Sequence, residues 1–369
     1  MRFTCEKNML VTGLNIASRT VAQKSSLVAL EGILCRAGDG LTLTGYNMKT
    51  AITYRIDAEV TEAGECILPA KLFGDIIRRL PEGTVTVLVD ENYKVSIRSG
   101  FASFTISAES AEDYPELPDV SAGRGILIPM KELKELISST IFSVSDSQAR
   151  PILTGVKFEV EDDKISTVAV DGFRLARRTW HADSPIGREL SFVVPAQDLK
   201  EVEKILTDSD DEVTFTLGTK KILFQLGNAT LVCPLLDGDF LDWKRVVPAE
   251  RPIKLIAHVS DLASSIDRVG LVVSEKYMSP VRCTFGNQVL QLRTATTIGA
   301  AEDRCVVAGD GKEVEIGFNV RYLAEALRVI PSEEVCLELA NDRSPIMLTP
   351  VDDKYDFFYM LQQVRIRKS

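Results

Sequence analysis

The chain writes one domain-sized phrase three times. Pro69-Ala70-x-Leu72, Pro195-Ala196-x-x-Leu199 and Phe318-Asn319-x-x-Tyr322 each open an apolar-periodic stretch, at steps of 126 and then 123 residues. A second marker keeps the step, for Asp113-Tyr114-Pro115 returns as Asp239-Phe240-Leu241. Earlier in each unit, Leu30-Glu31-Gly32-Ile33 lines up with Leu153-Thr154-Gly155-Val156 and with Ser279-Pro280-Val281. The period is well beyond the roughly 20–50 residues of solenoid repeats, so each copy is a folding module in itself. Three like modules in one chain suggest a symmetric assembly more than a single catalytic cleft.

A length of 369 residues accommodates three such modules. The joints Ser121-Ala122-Gly123-Arg124-Gly125 and Pro248-Ala249-Glu250-Arg251-Pro252 set the expected domains at 1–121, 122–249 and 250–369. No segment approaches the roughly 18 uninterrupted apolar residues of a membrane span. The start, Met1-Arg2-Phe3-Thr4-Cys5-Glu6-Lys7, lacks the apolar core of a secretory signal. The expectation is a cytoplasmic protein with no membrane partner. Seven cysteines are scattered, odd in number and without a C-x-x-C pair, most of them in strand-like runs such as Val232-Cys233 and Val335-Cys336-Leu337. They read as reduced, buried small hydrophobes, with little support for zinc or disulfides. A net charge of −10 argues against a protein that coats nucleic acid with its whole surface, yet leaves room for one basic face on an acidic body.

Each unit begins with a short strand and an amphipathic helix. In the second, Ile126-Leu127-Ile128 leads into Pro129, a favourable first helical residue, and Met130, Leu133, Ile137 and Ile141 follow at helical spacing. Lys131, Glu132, Lys134 and Glu135 fill the opposite face. Val259, Leu262, Ile266 and Val269 repeat the stripe in the third unit; Met9 or Leu10, Leu14 and Ala17 repeat it less cleanly in the first. Strands with period two follow at 155–160 and 165–170 around the turn Glu161-Asp162-Asp163-Lys164. A second strand–helix passage runs from Phe192 to Leu206, and strands at 213–217 and 222–226 close the unit. Strand–helix–strands is thus written twice per domain. Short turns between strands cannot cross over, so the class is α+β with antiparallel sheets.

Catalytic signatures are hard to assemble. The two histidines, His181 and His258, lie in different repeats and outside any metal-ligand spacing. Gly309-Asp310-Gly311-Lys312 lacks the phosphate-loop frame and reads as a hairpin turn. Asp208-Ser209-Asp210-Asp211-Glu212 lacks the glycine and glutamate of a calcium loop and reads as a solvated loop. No cofactor, metal or catalytic residue is expected. The basic residues say more. The helices carry Lys7, Lys71, Arg78, Arg79, Lys131, Lys134, Lys200, Lys204, Arg268, Arg321 and Arg328, and adjoining loops add Arg19, Lys24, Arg150 and Lys276. Cations on six helices in equivalent positions point to a shared surface that touches phosphates and reads no base edges.

These repeats closely resemble the bacterial DNA polymerase III beta subunit family, the beta sliding clamps. The resemblance runs from Met1 to Arg365, and four stretches carry it. They are Val168-Ala169-Val170-Asp171-Gly172-Phe173-Arg174-Leu175-Ala176; Leu68-Pro69-Ala70-Lys71-Leu72-Phe73 with Arg79-Leu80-Pro81-Glu82-Gly83; Asp237-Gly238-Asp239-Phe240 with Arg245-Val246-Val247-Pro248; and Glu315-Ile316-Gly317-Phe318-Asn319-Val320. The resemblance implies three domains of the DNA clamp fold and a head-to-tail homodimer closing into a six-domain ring around duplex DNA. It implies a non-catalytic processivity factor of the polymerase III holoenzyme, met by the replicative polymerase alpha subunit, a clamp loader, and other polymerases and repair proteins. Simple geometry agrees. Twelve inner helices packed about 8–10 Å apart enclose an opening on the order of 20–28 Å, and the duplex is about 20 Å wide.

The resemblance also places sites. A pocket for partner peptides, between the second and third domains, would be walled by Leu153, Val170, Gly172, Phe173, Arg174, Leu175, Leu241, Arg245, Val246, Asn319 and Tyr322, with Met360, Gln363, Val364 and Arg365 from the tail. Arg174 and Arg245 are expected near its rim. From the residues alone, Val170, Leu175 and Val246 could equally be plain core. Lys24, Arg78, Arg79, Gln148, Arg150, Lys200 and Lys204 would face DNA. Leu271 and Val272 would meet Phe104 and Ile106 of the partner and complete a sheet across the joint; the alternative is that all four are core within their own domains. Leu241 and Gln363 stand where the family usually has prolines, Phe173 replaces a frequent histidine, Arg343 and Pro345 replace small or apolar residues, and Arg367-Lys368-Ser369 extends the tail. Those departures keep open a diverged clamp paralogue serving repair or another polymerase. From another class, an enzyme with an interdomain site would show turnover that depends on Asp171 or Arg174.

Overall fold

The computed structural model describes residues 1–120, 123–273, 280–286, 288–309, 313–352 and 354–366. The Gly309–Lys312 turn (beyond Gly309), Ser121-Ala122 of the first joint, Lys276, Ser279 and the tail Arg367-Lys368-Ser369 lie outside the described residues. The chain packs as two compact units, Met1–Lys134 with Gln197–Leu235, and Glu135–Ala196 with Leu236–Ser369.

In the first unit a five-stranded sheet has the order Glu59–Glu62, Arg2–Glu6, Thr84–Val89, Lys94–Ser99, Ala102–Ser107. An eight-stranded sheet has the order Ile126–Pro129, Glu212–Leu217, Lys221–Leu226, Ala229–Pro234, Ala51–Ile56, Gly40–Tyr46, Gly32–Gly38, Gly64–Pro69. The second unit mirrors this plan. Its eight strands run Leu190–Pro195, Gly155–Val160, Lys164–Val170, Arg174–His181, Asp356–Leu361, Ile346–Pro350, Glu334–Leu339, Ile253–His258. Its four-stranded sheet runs Ala300–Val306, Val289–Ala295, Val281–Gly286, Val314–Phe318. The paired strands are antiparallel, as short turns require.

Each repeat contributes two helices: α1 (Lys7–Ala17) and α2 (Ala70–Arg79), α3 (Met130–Ser138) and α4 (Ala196–Ile205), α5 (Val259–Gly270) and α6 (Val320–Leu327). Helical spacing decides which face is buried. Leu10, Leu14 and Ala17 of α1 are buried while Met9 is exposed, so Leu10 carries the stripe. Phe73, Ile76 and Ile77 of α2 join the same core, each burial being worth about 1.5–3 kcal/mol. Gly13 and Gly45 let backbone approach closely. A Cβ on Gly13 would meet Ile56 Cδ1 at 2.6 Å, and one on Gly45 would meet the Ala17 carbonyl oxygen at 2.0 Å.

Two sequence expectations shift. Pro129 closes the strand before α3 and does not open the helix, and Pro69 likewise stands outside α2 with ψ 105° as its N-cap. The α3 stripe stops before Ile141, because Thr140 turns its hydroxyl back onto the Leu136 carbonyl at 2.8 Å and the chain tightens into a short 3-10 turn. The cysteines behave as small hydrophobes. Cys5, Cys35, Cys66, Cys233, Cys283 and Cys305 are buried and Cys336 is half-buried. Burial, with the Glu6 charge, raises the Cys5 thiol to about 11.

Each eight-stranded sheet is made from two repeats. Ala229–Pro234 of the second repeat pairs with Ala51–Ile56 of the first, placing Ala229 opposite Tyr54 and Val232 opposite Ala51. Asp356–Leu361 of the third pairs with Arg174–His181 of the second, placing Leu175 opposite Met360. In both joins the last strand of a repeat thus pairs with the fourth strand of the repeat before it.

Candidate functional site

At the second of these joins the strand Lys164–Val170 turns into Arg174–His181, and Val170 faces Leu175 across the turn. Asp171 shapes that turn. Its Oδ1 accepts from the backbone N–H of Phe173 at 2.8 Å and of Arg174 at 3.0 Å, and Gly172 takes the left-handed φ of 95°. Phe173 is pushed outward, 63 % exposed, while Leu175 goes straight down. Leu153, Val168, Val170, Leu175, Trp243, Met347 and Met360 form one apolar cluster, with Phe240, Val247 and Phe358 against it. The segment after Phe240 supplies the outer edge: Leu241, Arg245 and Val246 are exposed, and the Val246 N–H donates to the Trp243 carbonyl at 3.1 Å. The tail comes alongside, with the Gln362 N–H on the Phe173 carbonyl and the Val364 N–H on the Gly317 carbonyl, both at 2.7 Å.

This arrangement sorts the sequence expectations. Val170, Leu175, Leu153 and Met360 are buried, so they lie beneath the surface and are not accessible pocket walls; Val246, exposed, is not core. Asn319 uses its Oδ1 to cap α6, accepting from Arg321 N at 3.0 Å and Tyr322 N at 3.4 Å. Gln363 and Val364 are half-buried beside the turn. Arg365 is turned elsewhere, lining a polar cavity of about 740 Å³ with Arg282, Arg293, Glu302 and Glu315. Arg245 is free at the rim apart from a 2.9 Å pair with Asp242.

Arg174 is the clearest correction. It was expected as a rim cation, and the structure buries it. Its Nε donates to Asp171 Oδ2 at 2.9 Å, one Nη donates to Glu325, and the other donates to the Phe142 carbonyl at 2.6 Å. The guanidinium lies 4.0 Å from the centre of the Tyr322 ring. Burial pulls its pKa down, but the bond to Glu325 and the Glu325 and Asp171 charges leave it raised. Burial also raises the Tyr322 phenol. Two residues of this arrangement were not singled out in the sequence. Trp243, three places after Phe240, was legible only as an aromatic in a polar run. Glu325 was legible as an i,i+4 partner of Arg321, with which it pairs at 3.2 Å.

The phosphate-facing candidates divide between the units. In the first, Lys24, Arg78, Arg79, Lys200 and Lys204 are all exposed; in the second, so are Gln148 and Arg150. Several lean on carboxylates. Asp75 pairs with Arg78 at 2.9 Å and Arg79 at 3.6 Å, and Glu201 with Lys204 at 2.7 Å. The Arg78 hydrogen bond holds Asp75 below the usual carboxylate range. Lys7, counted among the surface cations, is instead buried and paired with Glu82 at 2.7 Å. The edge candidates are open. Phe104 is 39 % exposed and Leu271 83 %, so neither is core of its own domain, while Ile106 packs partly against the first core. Val272 is half-buried, its carbonyl accepting from the Thr296 hydroxyl at 2.8 Å.

Three repeats of this α+β unit, joined edge to edge with an apolar cluster at the second join, define a clamp-type protein. Residues 1–118, 127–242 and 244–362 match, respectively, the N-terminal, central and C-terminal domains of the DNA polymerase III beta subunit. The beta sliding clamp of Staphylococcus epidermidis is 32% identical over 365 residues, covering 96% of each chain. Among solved structures, the DNA polymerase sliding clamp of Bacillus subtilis superposes with a TM-score of 0.94 at 29% identity over 100% of both chains. The Pseudomonas aeruginosa sliding clamp bound to griselimycin superposes with a TM-score of 0.94 at 29% identity, over 99% of this chain and 100% of that one. The chain belongs to the DNA polymerase III beta subunit family, the beta sliding clamps. With that membership come the clamp fold in three domains, the processivity role and the absence of catalysis in this subunit.

Proposed function

We propose that this chain is the protomer of a cytoplasmic homodimeric ring that encircles duplex DNA without reading its sequence. Its domains are taken as 1–121, 122–249 and 250–369. Through a peptide trough above the apolar cluster at the second join it tethers the polymerase alpha subunit, and it presents the same trough to the loader and to other polymerases and repair proteins. Among the described residues, no helix is long and apolar enough to cross a membrane.

The observation that carries the ring is the register of the two joins inside the chain. Two of three equivalent joins are made; the unpaired edges left over are Ala102–Ser107 at one end of the plan and Ala300–Val306 at the other. Ser99 faces Ala102 as Leu226 faces Ala229, so Ala102 and Ala229 are equivalent. Tyr46 faces Ala51 as Ala295 faces Ala300, so Ala51 and Ala300 are equivalent. Carrying the first join across puts Thr105 of one protomer opposite Ala300 of the other, and Phe104 opposite Ala301. An edge that pairs head to tail twice closes a six-domain ring.

The turns agree with this. Thr50 donates to Asp198 of α4 at 2.5 Å at the first join, and Arg174 reaches Glu325 of α6 at the second. The third turn, Thr296 to Gly299, would reach α2 of the second copy. Ile298 is 66 % exposed there, and α2 flanks an open cavity of about 470 Å³ lined by Val28, Ile67, Pro69 and Leu72 among others. Inside the ring, cations already leaning on carboxylates would hold phosphate weakly, which suits sliding.

The test is a cross-link. Thr105→Cys with Ala300→Cys places two thiols on directly opposed positions of an antiparallel pair, within disulfide reach. Oxidation should give covalent dimers, whereas Ser103→Cys with Ala300→Cys, out of register, should give few. Equal cross-linking of both pairs, or monomer throughout, overturns the ring.

A further inference from the structure

We propose that Glu325 is a positioning residue of the peptide trough, acting through Arg174 on the turn that forms its lip. The inference rests on the reading of the trough as the peptide site. Arg174 cannot meet a ligand. Its guanidinium is buried, each of its three nitrogens already donates, to Asp171, Glu325 or the Phe142 carbonyl, and its face lies on Tyr322. What Arg174 does is fasten three elements together: the Asp171–Arg174 turn, the short 3-10 turn Ile141–Ser143 and helix α6.

Two of those fastenings are short-range or to a neutral carbonyl. Asp171 is three residues away on the same turn, so its bond shapes the turn without fixing where the turn sits. Glu325, 151 residues away in sequence, is the charged anchor outside the turn. Its other oxygen is held by Arg321 at 3.2 Å, which orients the carboxylate toward Arg174. The lip it steadies is short and exposed. Phe173 stands out from it, and its carbonyl accepts from the Gln362 N–H at 2.7 Å, so a shifted turn also releases the tail at the trough's far wall. A side chain that touches no peptide thus decides whether the lip and the tail are in place before the peptide arrives.

The test uses the full-length dimer and a fluorescent peptide carrying a Gln and trailing Leu and Phe anchors. Glu325→Gln keeps the shape and removes the charge, and should weaken the peptide roughly 10–100-fold, the loss expected for a charged hydrogen bond. Arg174→Lys should do the same, and the double variant should be no weaker than either single, because both break one link. Hydrogen exchange gives a local readout: the Gln362 amide should exchange faster in Glu325→Gln, while amides of the strand Ile253–His258 stay protected. Val246→Asp, on the exposed edge, serves as the control for the site itself. Loss with Val246→Asp and none with Glu325→Gln overturns the positioning role; no loss with either overturns the trough as the peptide site. Should Glu325→Gln melt early, Glu325→Asp, which withdraws the charge by one methylene, decides in its place: wild-type affinity there refutes the proposal, and intermediate affinity supports it.

Discussion

Leu271→Ala is the sharpest probe of the dimer. Leu271 is 83 % exposed at the C-cap of α5, where φ is −59° and ψ −27°, a conformation alanine adopts without strain. Its truncation should therefore leave the isolated chain as stable as before. Fully burying a leucine is worth about 1.5–3 kcal/mol, and alanine forfeits most of that, about 1–2.5 kcal/mol per joint. A closed ring of two chains has two identical joints, so the dimer loses about 2–5 kcal/mol, and its dissociation constant rises roughly 30- to several-thousand-fold. Sedimentation velocity over a dilution series, from micromolar to nanomolar protein, reads this directly. An unchanged dissociation constant would refute the placement of Leu271 at the joint. A lower melting temperature at dilutions where only monomer exists would place it in the core of its own domain.

Clamps loaded on closed circular DNA should be retained and should run off linear DNA with free ends, while direct binding weakens with salt at a log–log slope of about −0.9 per phosphate; equal lifetimes on both substrates argue against encirclement. Val246→Asp should abolish peptide binding measured by anisotropy and leave the dimer intact, whereas Leu175→Asp, which puts a carboxylate into a fully buried site, should lower the melting temperature outright. Glu338 titration should shape the acid limb of stability. Burial pushes its pKa up, but hydrogen bonds from Lys254 at 2.7 Å and Arg251 at 2.8 Å outweigh this and hold it below the ordinary 4.5. A depressed carboxylate stabilises above its unfolded pKa and loses that contribution as pH falls through the folded value. Glu338→Gln should thus lose about 1–2 kcal/mol at neutral pH, discounted for the exposed lysine, and show a flatter melting curve below pH 4.5 than the wild type.

What the sequence revealed follows from what a one-dimensional pattern can encode. Period and spacing placed the first helix of each repeat and the strands of the second, because Leu262, Ile266 and Val269 on one face, or Val156, Phe158 and Val160 on another, must be buried together. The family motif named Leu153, Val170, Leu175 and Met360 together, and the structure packs them in one cluster. Their roles were not legible. Nothing in Arg174 as a letter says whether its charge meets solvent or a carboxylate 151 residues on; burial is a property of three elements meeting. Arg365 shows the same limit, since the tail's twist after Val364 decides which cavity it lines. Helix ends were misplaced by local chemistry, as the Thr140 hydroxyl shows.

The ladders that cross from one repeat to the next separate two kinds of unit. The stretch that repeats is about a third of the chain, with its expected joints near residues 122 and 250. Hydrogen bonding sews the copies together at Ala229–Pro234 with Ala51–Ile56 and at Asp356–Leu361 with Arg174–His181. The compact bodies that result change over at 134, 196 and 235, away from those joints. The segment that repeats is therefore not the segment that packs as a body. Cooperative melting should follow the two sewn bodies, and a copy excised at the joints would expose raw strand edges.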